Sequence, residues 1–158
     1  MKTKSLALLA ALALHAAPTF AASPLVGRWA LDVATLPMPP DARPRSVTME
    51  FRQPGDGMWS THIEIVDPNG GTMDSDATLA LDGTPGKITG SYWADVGTAK
   101  MPAPNVVVLQ LAYQGTPSST RVYSVTEDGG TLTETKAAFH KDGTPFLQTT
   151  TFLSLIHI

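Results

Sequence analysis

The chain has 158 residues, a net charge of −3, a pI near 5.7 and no cysteine. That length supports a single domain whose core is stable without disulfides. The acidic balance provides no field for holding phosphate backbones, so nucleic acid is not an expected partner.

The N-terminus carries the most specific signal. Met1-Lys2-Thr3-Lys4 supplies two positive charges, and Leu6 to Leu14 is an apolar run of Ala and Leu too short to span a bilayer. Ala16-Ala17-Pro18-Thr19-Phe20-Ala21 then breaks the helix and presents small residues to a signal peptidase. Residues 1–21 are therefore expected to be a signal peptide, leaving a periplasmic or secreted protein with no stable membrane anchor. With no cysteine there is no lipidation site on the mature chain.

Leu25-Val26-Gly27-Arg28-Trp29-Ala30-Leu31-Asp32 is the expected first strand. Leu36 to Pro44 holds four prolines and is an extended connection. Ser46 to Arg52 alternates cleanly, with Val47, Met49 and Phe51 toward a core and Thr48, Glu50 and Arg52 toward water. Pro54-Gly55-Asp56-Gly57 is a hairpin turn, and Met58 to Val66 returns with Trp59, Thr61, Ile63 and Ile65 on one face. Asp67 to Gly71 turns the chain into a strand over Thr72–Leu81, and Asp82 to Gly86 turns it into another over Lys87–Trp93. Ala94 to Pro104 reads as a long loop and a candidate lid. Asn105 to Tyr113 is apolar on both faces, which predicts a strand covered on both sides. Ser119–Thr126, Thr131–His140 and Phe146–Leu153 complete the series.

Punctuation by glycine and proline every ten residues or so, with hairpin-length links and no helical period, predicts an all-β meander. Closing its edges gives a single antiparallel up-and-down β-barrel of about eight to nine strands, over residues 22–152. A two-sheet sandwich would need longer crossovers than the chain provides.

Gly27-Arg28-Trp29-Ala30-Leu31-Asp32, Gly55-Asp56-Gly57, Leu81-Asp82-Gly83, Glu127-Asp128-Gly129-Gly130-Thr131-Leu132-Thr133 and Lys141-Asp142-Gly143-Thr144-Pro145-Phe146 occur in that order. Together they resemble the small exported lipocalin-like, or calycin-type, proteins of bacteria. The resemblance implies a barrel with a short helix or 3₁₀ turn before its first strand and Trp29 packed at the closed end. It also implies a basic residue lying over that tryptophan. No arginine follows Arg121, so Arg121, Lys136 and Lys141 are the candidates.

Function is less legible. His62 and His140 are the histidines of the domain, and no cysteine joins them, so no metal site and no cofactor is expected. His62 alternates with polar neighbours and is expected to face outward. Asp74 and Asp76 share one strand face, and Glu134 and Gln148 stand where either face is open to them. An enzyme using Glu134 or Asp76 at the barrel mouth is the third-ranked reading. The first is binding of a small hydrophobic ligand inside the barrel, with Trp29, Met49, Phe51, Trp59, Ile63, Tyr92 and Tyr123 as candidate lining residues. The second is a filled barrel acting in protein interaction through its loops, with no partner indicated. The last six residues, Leu153 to Ile158, are what a sequencing-library adapter would encode, so the natural chain is expected to diverge near Leu153.

Overall fold

The computed structural model describes residues 22–55 and 57–156. The leader expected over residues 1–21, position 56 of the first hairpin turn and the last two residues of the tail lie outside them. Ten strands run in sequence: β1 (Gly27–Leu31), β2 (Ser46–Gly55), β3 (Met58–Val66), β4 (Thr72–Ala80), β5 (Gly86–Thr89), β6 (Val96–Ala103), β7 (Val106–Tyr113), β8 (Thr116–Val125), β9 (Thr131–Phe139) and β10 (Pro145–Ser154). Each pairs antiparallel with the next, and β1 pairs with β10, so the sheet closes into an up-and-down barrel with no free edge.

The alternation read from β2 and β3 sets their faces. Met49, Phe51, Trp59 and Thr61 are buried, and the residues between them are half-buried or exposed. Phe51 stands at the centre of the core, its ring 5.1 Å from that of Trp59 and 5.2 Å, edge-on, from that of Tyr123. The N-terminal segment crosses this end of the barrel. Leu25 is fully buried, and its carbonyl accepts a 2.9 Å hydrogen bond from Trp29 Nε1. Of the suspect tail, Leu153 and Ser154 pair with Ala30 and Trp29.

Three expectations are corrected. The tenth strand is β6, which occupies most of the segment read as a lid over Ala94–Pro104. Its inward positions include Gly97 and Ala99, too small to write an apolar pattern. They must be small, because a Cβ on Gly97 would sit 3.0 Å from both Ile88 and Leu111. The strand expected over Lys87–Trp93 ends at Thr89, and Ser91 to Asp95 form a loop. β7 buries only one face: Val107, Leu109 and Leu111 point inward, while Val106 and Val108 are half-buried and Gln110 is exposed, since among the described residues no second layer covers the outside of the barrel. The described 3₁₀ turns, Val33–Thr35 and Pro40–Ala42, follow β1, whereas a single turn, Val26 N–H to the Ser23 carbonyl, precedes it.

The turns at the mouth are stabilised by aspartates. Asp67 accepts amide hydrogens from Asn69 at 2.7 Å and Gly71 at 2.9 Å, and Asp142 accepts one from Thr144 at 2.9 Å. These bonds hold both carboxyls below their ordinary range.

Gly90 fixes where β5 ends. Its φ of +76° is a left-handed conformation, and a Cβ there would overlap the Asp74 carbonyl. β5 is also thinly attached, with two residue pairs to β4 and two to β6. Gly90→Ala is therefore expected to destabilise the domain by about 2 kcal/mol and to release the Ser91–Asp95 loop. Amide exchange checks this: loss of protection in β5 and that loop ahead of the other strands is expected, and uniform loss would refute a local effect.

Candidate functional site

The interior divides into a filled half and a hollow half. Residues facing inward on β8, β9 and β10 form cross-strand rows that change in chemistry along the barrel axis. The row nearest the closed end is Val125, Leu132 and Phe152, all buried and apolar. Next comes Tyr123, Glu134 and Thr150, and then, toward the mouth, Arg121, Lys136 and Gln148. β2 and β3 face them with Phe51 opposite Thr61, Met49 opposite Ile63 and Val47 opposite Ile65. One wall of the mouth is thus apolar and the other polar.

A cavity of about 180 Å³ lies between these walls. Val47, Met49, Ile63, Ile65 and Phe152 supply its apolar surface, Arg121 and Glu134 its polar surface, and Tyr92 and Trp93 its rim. The rim loop is pinned at several points. Ser118 Oγ donates to the Trp93 carbonyl at 2.7 Å, the Trp93 and Ala94 amides donate to Ser91 Oγ, and Asp95 Oδ2 accepts from the Gln114 amide at 2.9 Å. Tyr92 meets Trp93 edge-on at 5.0 Å and is 68% exposed.

Arg121 connects rim to floor. Its guanidinium lies 5.7 Å from the Trp93 ring centroid, and its Nη1 is 3.5 Å from each oxygen of Glu134. Both side chains are well enclosed, 15% and 10% exposed. Burial opposes the charge on Arg121, but the Tyr123 hydroxyl and the Glu134 carboxylate outweigh it and raise its pKa. Burial, and then the Glu134 carboxylate, push the Tyr123 phenol well above its ordinary value, so it stays protonated and able to donate. The Arg121 Nε is buried and has no partner among the described residues.

The structure separates the seven residues expected to line a ligand site. Met49, Ile63 and Tyr92 reach the cavity. Trp29, Phe51, Trp59 and Tyr123 are 2% exposed or less and belong to the packed core beneath it. Arg121 lies over Trp93 and not over Trp29, whose indole N–H is instead taken by the Leu25 carbonyl. The lining residues absent from that expected set are Val47, Ile65, Trp93, Arg121, Glu134 and Phe152. Period two was the available signal, since an inward Tyr123 places Arg121 on the same face.

The carboxylate and histidine candidates do not meet in the mouth. Asp76 stands on the outer wall, where its Oδ1 is 2.8 Å from His62 Nδ1, and Asp74 is 3.8 Å from His62 Nε2. All three side chains are more than two-fifths exposed. Glu134 is on the inner face and Asp76 on the outer, with the sheet between them. Gln148 is half-buried beside Lys136, and His140 stacks on Phe146 at the β9–β10 turn. Outside this turn an apolar groove runs past Ala137, Phe139 and Leu147, the last two 70% and 74% exposed.

No protein-family profile matches the chain, and no curated protein is significantly similar to it.

Proposed function

We propose that the protein is an exported, lipocalin-like binding protein that takes one small amphipathic molecule into the mouth of its barrel. The observation that carries this reading is the two-walled cavity. Val47, Ile63 and Ile65 give a molecule's apolar body a dry surface, while Arg121 and Glu134 opposite fix the orientation of its polar end. The size limits the occupant. A void of about 150 Å³ holds a benzene ring, so 180 Å³ suits a single ring or a short chain and not a long lipid. The expected small hydrophobic ligand is thereby narrowed to one with a polar edge. Export rests on the leader-like residues 1–21, and the ligand would then be met in the periplasm or medium.

The filled-barrel reading describes the closed half, where the aromatic cluster packs. Of the surface loops through which it would act, the foremost, Ala94–Pro104, is mostly β6.

Filling the cavity provides the test. Ile65 is half-buried at the mouth, and Ile65→Trp should occupy the space while leaving the core of Phe51, Trp59 and Tyr123 untouched. Benzyl alcohol titrated into the protein is expected to shift the Trp93 indole resonance saturably, and Ile65→Trp is expected to abolish the shift with little change in melting temperature. An unmoved Trp93 resonance in the unsubstituted protein at millimolar benzyl alcohol would sink the reading.

A further inference from the structure

We infer that the ligand of the mouth cavity is an anion, of the carboxylate class, held by Arg121 with Lys136 above it. This rests on the binding reading above and adds the charge of the ligand to it.

Arg121 and Lys136 are direct cross-strand partners on β8 and β9, so their side chains leave the sheet side by side on the inner face. Two like charges placed opposite each other destabilise a strand pair unless a counter-charge sits between them. Glu134, two residues from Lys136 on the same face, is electrostatically coupled to both cations. It satisfies Arg121 only loosely, with both contacts at the 3.5 Å limit and both made to the same nitrogen. The polar wall therefore holds two positive charges against one negative.

The donors tell the same story. Arg121 leaves its buried Nε unused among the described residues, and a buried guanidinium donor without an acceptor is costly. Lys136 is partly compensated by the Phe146 ring, 5.3 Å from its ammonium, yet burial and then Arg121 lower its pKa, with Glu134 opposing. A bound carboxylate meeting the part of Arg121 that lines the cavity would supply the missing negative charge, a geometry the planar guanidinium suits. A neutral alcohol or amide could accept one hydrogen bond but would leave the charge excess in place. The apolar wall of Val47, Ile63 and Ile65 is the surface against which the acid's ring or short chain would lie.

The test compares isosteres. Phenylacetate and phenylacetamide differ little in size but differ in charge, and calorimetric titration of each into the protein reads the difference directly. Phenylacetate is expected to bind at least about tenfold more tightly. Lys136→Met, beside Arg121 on the neighbouring strand, should weaken phenylacetate by up to about fivefold and leave phenylacetamide unchanged. Glu134→Gln should move phenylacetate the other way, strengthening it by removing the competing carboxylate. Equal affinity for the two probes would overturn the inference and leave the amphipathic reading standing. So would a Lys136→Met effect of equal size on both. Binding of neither probe would overturn both proposals.

Discussion

Trp29→Ala is expected to cost about 3–5 kcal/mol of stability, on the order of 10–20 °C in melting temperature for a domain of this size. Trp29 is 2% exposed, stands opposite Met49 on one side and Ser154 on the other, and therefore lies where the first and last strands close the barrel. Alanine would leave a void that the closed sheet cannot collapse around, and would also orphan the Leu25 carbonyl. Trp59 gives an internal control. It is as deeply buried, but its indole N–H has no partner among the described residues. Trp29→Phe should consequently be more destabilising than Trp59→Phe, since the first loses a hydrogen bond and the second removes an unsatisfied donor. Chemical denaturation of the two phenylalanine variants checks the order, and the reverse order would mean that ring volume alone governs this core.

Glu134→Ala has the next largest expected effect, a loss of about 3 kcal/mol, because it leaves the enclosed Arg121 charge uncompensated. The penalty lies in the unpaired charge and not in the loss of an attraction that is weak at 3.5 Å. The double variant Arg121→Met with Glu134→Leu should therefore recover most of the stability while abolishing discrimination between charged and neutral ligands. Additive losses in the double variant would contradict this and assign the cost to packing.

Much of the fold was written in short-range pattern. Val47, Met49 and Phe51 alternate with polar residues, Asp67 to Gly71 and Asp82 to Gly86 punctuate, and closure follows from ten strands with no edge to spare. β6 was not legible because its inward residues are selected for smallness: Gly97 and Ala99 make room for Ile88 and Leu111, which is a property of neighbours distant in sequence. The end of β5 was hidden for a similar reason, since the carbonyl that forbids a side chain at Gly90 belongs to Asp74.

The site was legible in part. Met49 and Ile63 follow from alternation alone. Which inward residues line a cavity and which fill a core depends on the axial position of each row, and that is set by strand register across the whole barrel. Tyr123 and Arg121 illustrate this, for both point inward on β8, one within the packed half and the other within the hollow half. The pairing of Arg121 with Lys136 is likewise a matter of register between β8 and β9, which no local spacing encodes.

The most direct test of the central claim, that the mouth of this barrel is a two-walled binding chamber, is an isotope-edited nuclear Overhauser measurement with phenylacetate. The account predicts contacts from the ring protons to the methyls of Val47, Ile63 and Ile65, with the Arg121 Nε proton shifted on binding. Contacts confined to Phe139 and Leu147 on the outer groove, with the Arg121 and Trp93 resonances unmoved, would contradict it.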